Sequence, residues 1–190
     1  MRLAVLMFCA VMSAAGAEIH IQFPAIKRIL AAQEFTQDGR KYVRGDAKKR
    51  CNFAFLENPQ LAGVDGKLQI RAKFSGRSAV DVLGRCVGVG DSFDLTILAV
   101  PTFRDGRMGL KDVAVSSNGR DGLYIRRVCA AIRVSMARDF EYPLVAEAKK
   151  ILEAKRDPLF DQVLRKFTVN GIWISTEAVV ISYDLVLVIK

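Results

Sequence analysis

Histidine is almost missing from this chain of 190 residues, in which His20 is the only one. Because histidine is the commonest metal ligand and the usual base of a catalytic triad, its scarcity excludes most zinc sites and most triad hydrolases. The 14 Gly and 5 Pro are too few for a collagen-like or low-complexity chain. The apolar fraction of 51% is too high for a disordered chain, so the sequence predicts a folded protein.

The first seventeen residues have the pattern of an export signal. Arg2 gives a basic start, residues 3–15 form an apolar run, and a small-x-small cleavage pattern ends at Ala17. This run is shorter than the roughly 20 residues that span a bilayer. The residue before Cys9 is too large for a lipoprotein cleavage site. We therefore expect a signal peptide at 1–17 and a periplasmic or secreted mature protein, beginning at Glu18, without a lipoprotein anchor.

Positive charge dominates the composition, with 29 Lys+Arg against 20 Asp+Glu. Without Arg2 the mature chain has 28 basic and 20 acidic residues, a net charge of +8. Such a balance favours anionic partners. Export argues against nucleic acid, and the sequence has no base-stacking platform or glycine-loop module. The sequence thus indicates an anionic membrane surface as a partner, the alternative being a charge that serves solubility alone.

Three cysteines remain after Cys9 is removed with the signal, and an odd number leaves one thiol unpaired within the chain. Cys51 and Cys86 both lie in strand-like segments, and neighbouring strands bring Cα atoms to the roughly 4.4–6.8 Å that a disulfide needs. We therefore predict a Cys51–Cys86 disulfide. Cys129 lies in a helical stretch without a histidine neighbour, which predicts a small buried apolar residue and not a catalytic thiol.

Tight turns and alternating strands are predicted for the first two thirds of the chain. A short amphipathic helix is expected over Phe23–Gln33. Four Asp-Gly pairs, at 38–39, 65–66, 105–106 and 121–122, are strong turn signals. Strands flank the second and third pairs, with inward faces formed by the following residues: Leu68, Ile70, Ala72, Phe74, Leu95, Ile97 and Ala99.

The last third combines helix and strand. Helical spacing runs over Tyr124–Phe140 and again over Leu144–Lys155, with Ala148, Ile151 and Leu152 expected inside. Pro143 lies between these segments and predicts a kink. Asn170-Gly171 predicts a turn or bulge. The segment Ala178–Lys190 is a strand candidate that is apolar on both faces. Together these elements predict one α+β domain over 18–190: a curved antiparallel sheet wrapped on one long Pro-kinked helix, plus a short N-terminal helix.

No constellation of catalytic residues is visible. Gly84, Gly88 and Gly90 lack the ending of a phosphate loop and predict a bulge or tight bend. Asp81, Asp91 and Asp94 give no sign of converging as the acid pair of a glycosidase. We therefore predict a protein that is not an enzyme and has no metal or cofactor.

An amphipathic helix beside an apolar sheet is a common geometry for an apolar ligand site. The residues predicted to line such a groove are Phe74, Leu95, Ile97, Val128, Ile132, Met136, Ile181, Tyr183 and Leu185. The alternative for each of them is a place in an ordinary hydrophobic core.

The order of elements, with the segments Ala99-Val100-Pro101-Thr102-Phe103-Arg104-Asp105-Gly106 and Met108-Gly109-Leu110-Lys111-Asp112-Val113-Ala114-Val115, resembles the YceB-like bacterial envelope proteins. That family of unknown function is similar in architecture to the tubular lipid-binding (TULIP) superfamily, in which a twisted sheet wraps a long helix. The resemblance covers roughly Glu18 to Lys190 and is strongest over Phe93–Val115. Its members are typically lipid-anchored, whereas this chain lacks a lipoprotein cleavage site.

The resemblance implies an apolar ligand or an envelope role. We expect an exported, non-catalytic envelope protein that binds a lipid or acyl chain between the helix and the sheet. The alternative is a structural or protein-interaction module of the envelope with a filled core.

Overall fold

The computed structural model describes residues 16–154 and 161–189, a mixed α+β chain in which strands predominate. Residues 1–15, which hold most of the predicted signal peptide, lie outside the described residues, as do Lys155 and Lys190. The elements in chain order are β1 (Ala17–Gln22), α1 (Phe23–Gln33), β2 (Arg40–Arg44), β3 (Asn52–Val64), β4 (Lys67–Val82), β5 (Arg85–Arg104), β6 (Arg107–Ser117), α2 (Leu123–Asp139), α3 (Leu144–Leu152), β7 (Gln162–Ile174) and β8 (Ala178–Ile189).

The larger sheet is an antiparallel meander of five strands in the order β2-β3-β4-β5-β6. The predicted turns at Asp65-Gly66 and Asp105-Gly106 are confirmed, and all four residues have positive φ, as a two-residue hairpin turn of this kind requires. Asp38-Gly39 forms a similar turn between Gln37 and Arg40. The fourth pair, Asp121-Gly122, leads directly into α2, in agreement with the helical spacing predicted from Tyr124 onward.

The smaller sheet has the order β1-β8-β7, so the tail strand β8 is its central strand. The predicted irregularity at Asn170-Gly171 is a bulge, at which the register between β7 and β8 shifts. This sheet packs on the larger one, and Ile174, Val179 and Ile181 join its core. The two sheets approach each other closely at Gly63, where a Cβ atom would lie 1.8 Å from the carbonyl oxygen of Ser175.

The helices correct one part of the predicted fold. Helix α1 has the predicted bounds, but α2 and α3 are separate helices and not one long kinked helix. Between them, Tyr142 leaves the helical path and exchanges two backbone hydrogen bonds of 2.8 Å with Met108 on the edge strand β6. Pro143 disfavours helical backbone at Tyr142 and lacks an N–H of its own, so the chain bonds to the sheet there.

Burial along the helices also differs from the prediction in places. Ile151, expected inside, is 57% exposed, while Ala148 and Leu152 are half-buried. On α2 the buried residues are Ile125 and Ile132, and only the second was expected inside. The short α3 covers β7 and the end of β6 with one side only, which leaves Ile151 on the side that faces water.

The core lies between the two sheets and α2. The predicted inward faces of β4 and β5 are confirmed in their central parts, where Phe74, Leu95, Ile97 and Ala99 are at most 2% exposed. Phe74 and Phe93 lie opposite each other on neighbouring strands, with ring centroids 5.0 Å apart. This aromatic pair marks one end of the core, beyond which β4 and β5 continue.

Candidate functional site

The nine residues predicted to line a groove do not all lie in one place. Seven contribute to the core: Phe74, Leu95, Ile97, Ile132 and Ile181 are buried in it, and Val128 and Met136 pack against it half-buried. Tyr183 and Leu185 lie further along β8, where Tyr183 stacks on Phe167 at 5.2 Å and Leu185 is exposed. Helix α2 packs mainly on β6. These seven side chains belong to one packed cluster, and their role in ligand binding stays a prediction.

A different apolar surface lies at the ends of β4 and β5 that extend beyond the neighbouring strands β3 and β6. Strand β3 pairs with β4 no further than Ser78, and β6 pairs with β5 only from Leu95 onward. Residues 78–89, called here the distal hairpin, are therefore a two-stranded ribbon that leaves the five-stranded sheet. Its turn is Leu83-Gly84, and both residues have positive φ. Gly84 was predicted to lie at a bulge or tight bend, and it closes this hairpin.

The inner face of the sheet continues onto the distal hairpin, where no element of the described residues covers it. Side chains alternate along a strand, so the face that carries Phe74 and Phe93 continues two residues at a time toward the turn. On the hairpin this face carries Ser78, Arg85 and four valines, and each valine is between 48% and 66% exposed: Val80, Val82, Val87 and Val89. Leu83 at the tip is fully exposed. The same alternation that builds the core thus produces an apolar surface facing water.

An ion pair lies at the end of the core, where the distal hairpin begins. Arg120, in the segment before α2, donates two hydrogen bonds of 2.8 and 2.9 Å to the carboxylate of Asp91 and a third to the carbonyl of Ser92. The hydrogen bond from Arg120 and one from the backbone N–H of Ser92 lower the pKa of Asp91. Nearby, partial burial raises the pKa of Tyr124. The charged pair separates the covered part of the inner face from the uncovered part.

The outer face of the hairpin carries the predicted disulfide, which is confirmed. Cys51 and Cys86 are bonded, with their Cα atoms 5.1 Å apart, and the N–H of Ala79 donates to the carbonyl of Cys51. Cys51 ends a loop that includes Lys48, Lys49 and Arg50, so the disulfide fixes this basic loop beside the hairpin. A disulfide is compatible with export, because such bonds persist in oxidising compartments.

Six exposed basic residues surround the base and tip of the hairpin, and we call them the basic collar: Arg44, Lys48, Lys49, Arg50, Arg77 and Arg85. In the part of the chain that the structure describes, none of them forms a salt bridge with a carboxylate. The two carboxylates of the same segments bond to backbone: Asp46 accepts from the N–H of Lys48, and Asp81 from that of Gly84. The positive charge of the collar therefore faces solvent.

The residues considered for chemistry lie in separate environments. Asp81 bonds to the hairpin turn, Asp91 pairs with Arg120, and His20 lies exposed beside Glu18. Cys129 is half-buried with a free thiol, and burial raises its pKa. Over residues 16–154 and 161–189, no three His, Cys, Asp or Glu side chains cluster as metal ligands would.

Two clefts among the described residues are open to solvent. One of about 300 Å³ lies at the base of the distal hairpin, lined by Phe53, Ser75, Gly76, Arg77, Gly90 and Asp91. Within the described ranges no helix is both long and apolar enough to cross a membrane.

The valine surface is the feature that sequence reasoning missed. Its signal was present as two short alternating runs, Val80-Asp81-Val82 and Val87-Gly88-Val89, on either side of Leu83-Gly84. These runs predict a hairpin with one apolar face. They do not tell whether another element covers that face.

No family model matches this chain, and neither the curated proteins nor the solved structures compared with it include a match. Its function therefore has to be inferred from its own residues.

Proposed function

We propose that the protein is an exported, non-catalytic protein of the cell envelope that binds lipid, and that the distal hairpin is its lipid-binding element. The observation that carries this proposal is the uncovered inner face of the hairpin. Four valines and a tip leucine form one apolar surface there, separated from the core by the ion pair of Arg120 and Asp91. A contiguous exposed apolar surface on a globular protein marks a site of interaction.

The shape of this surface favours lipid over a folded partner. A two-stranded ribbon with an apolar turn is a narrow projection, and Leu83 at its tip is fully exposed. Such a projection can enter the boundary between headgroups and acyl chains with little disturbance of the lipids. We place the lipid contact on this surface and not in an interior groove, because seven of the nine predicted groove residues pack together in the core cluster.

The test is flotation of the purified protein with vesicles of equal parts phosphatidylethanolamine and phosphatidylglycerol. The variant V80T/V82T/V87T keeps the β-branched shape of each side chain and adds a hydroxyl group. Fully burying one valine is worth roughly 1.5–3 kcal/mol, and a loss of only about 0.5 kcal/mol at each threonine would lower vesicle affinity about tenfold. We therefore expect the triple variant to lose about tenfold or more in vesicle affinity.

The matched control is V43T/V134T/V186T, which changes three valines that are also exposed but lie outside the hairpin. We expect this control to bind vesicles like the wild type. Absence of wild-type binding to these vesicles would refute the proposal, and so would equal binding by the two triple variants.

The second candidate function is a protein-interaction module of the envelope, and the filled core is the observation that favours it. Recovery of one stoichiometric protein partner, without co-purifying lipid and with loss of that partner in V80T/V82T/V87T, would support this alternative.

A further inference from the structure

We infer that the lipid bound by this protein is the surface of an anionic bilayer, which the distal hairpin enters tip first while the basic collar binds the phosphate headgroups. This inference rests on the proposed function and adds to it the class of lipid and the orientation of docking. Three observations carry it: the depth of the collar behind the tip, its unpaired charge, and the disulfide that fixes it there.

Arg85 and Arg50 lie near the depth of the interfacial layer, whereas Arg77 lies six residues, or about 20 Å, behind Leu83. The pair formed by Asp81 and Cys86 lies two residues behind Leu83, which is about 7 Å at roughly 3.3 Å per residue. Interfacial apolar segments enter a leaflet by roughly 5–10 Å. An insertion of that depth buries the tip leucine and the valines nearest to it and brings Cys86 to the headgroups. Arg50 follows at the same level, since it adjoins Cys51 across the disulfide.

The net charge of the hairpin and the loop before Cys51 favours lipids with anionic headgroups. Residues 44–51 and 77–90 together hold six basic and two acidic residues, a local net charge of +4. Asp81 lies near the tip and opposes binding to anionic lipid, but it is outnumbered by Arg85 and the three basic residues of the loop before Cys51. Each basic residue held near an anionic surface strengthens binding by roughly fivefold, as about 1 kcal/mol corresponds to that ratio.

The positive charges of the collar also disfavour binding of a second copy of this chain to the hairpin, which is the main alternative to a membrane surface. Two copies that met through their distal hairpins would bring two basic collars together, and exposed like charges repel over roughly 8–10 Å at moderate salt. An anionic leaflet instead offers the opposite charge to Arg85 and to the three basic residues of the loop before Cys51. Charge complementarity therefore favours the membrane surface over self-association.

The first test compares two vesicle compositions and two charge variants. The variant K48Q/K49Q/R50Q removes three collar charges, and K111Q/R165Q/K166Q removes three exposed charges on β6 and β7 as the matched control. On phosphatidylglycerol-containing vesicles we expect the collar variant to lose roughly 100-fold in affinity and the control less than about threefold. On pure phosphatidylcholine vesicles we expect weak binding that the collar variant does not change.

The outcomes separate this inference from the proposed function. Equal wild-type binding to both kinds of vesicle would overturn the charge inference and leave lipid binding intact. Binding to neither kind would overturn the proposed function itself. A wild-type dimer in sedimentation equilibrium that V80T/V82T/V87T converts to monomer, without vesicle binding, would assign the surface to a second copy.

The second test measures orientation at the tip. Trp173 is the only tryptophan, so the variant L83W/W173F carries a single indole at the hairpin turn. With anionic vesicles that contain brominated acyl chains, we expect a blue shift of its emission and strong quenching. Emission unchanged by vesicles that bind the protein would rule out tip-first insertion, and the same measurement on the wild-type Trp173 reports whether the other sheet contacts the bilayer instead.

Discussion

Replacing Gly63 by alanine tests the packing of the two sheets, on which the whole core depends. A Cβ at this position would lie 1.8 Å from the carbonyl oxygen of Ser175 and 2.9 Å from Cγ2 of Ile174. The carbonyl belongs to the turn between β7 and β8, which backbone and hydroxyl hydrogen bonds to Ala178 hold in place. Because a backbone atom has to move, we expect Gly63→Ala to cost about 3 kcal/mol of unfolding free energy, at the upper end of overpacking substitutions.

Urea denaturation followed by the fluorescence of Trp173, which adjoins this contact in sequence, measures that cost. The control is Gly109→Ala, also in a strand, where the nearest atoms to a new Cβ are Phe140 O and Thr102 Cγ2, both at 3.6 Å. Alanine fits there without a clash and restricts the unfolded chain, so we expect a change within about 0.5 kcal/mol or a small gain. Equal free energies of unfolding for the two variants would refute the close approach of the sheets at Gly63.

Three further predictions concern the disulfide, the ion pair and the core. The double variant Cys51→Ser/Cys86→Ser should lose about 4 kcal/mol in urea denaturation, because the bond closes a loop with a sequence separation of 35; an unchanged midpoint would contradict this. The lowered pKa of Asp91 means that its pairing with Arg120 stabilises the fold above the ordinary carboxyl pKa, and that this stability is lost as pH falls through the folded pKa. Arg120→Ala should therefore raise the pKa of Asp91 in an NMR titration, whereas an unmoved pKa would show that the pair is not formed in solution. Leu95→Ala should cost about 4 kcal/mol in the same denaturation assay, since this side chain is fully buried, and a cost under about 1 kcal/mol would show that its site is not packed.

Local features of the chain were sufficient to predict the turns, one helix and the disulfide. Asp65-Gly66 and Asp105-Gly106 adopt the left-handed backbone that such pairs tolerate, which is a property of the residues themselves. The alternation around Phe74 and Leu95 identified the inward face, because a strand has a strict period of two. Helix α1 follows from Pro24 in its first turn and from the helical spacing after it.

The path of the chain around Pro143 could not be predicted from periodicity. Helical spacing on both sides of a proline fits one kinked helix as well as two separate helices. The difference is made by an edge strand that is distant in sequence: Met108 offers its N–H and carbonyl to Tyr142, and those bonds fix a break. Ile151 was likewise expected inside because of its helical spacing, yet among the described residues its side chain is mostly exposed.

The amino-acid sequence by itself determined which residues share a face and where the chain turns back, since both depend on neighbours within a few positions. Only the tertiary structure decided which of those faces is covered. Phe74 and Val80 lie on the same side of β4, yet Phe74 is buried in the core cluster whereas Val80 faces water. The physical reason is that burial depends on where β3 and β6 stop pairing and on what packs above the sheet, and contacts between distant segments set both.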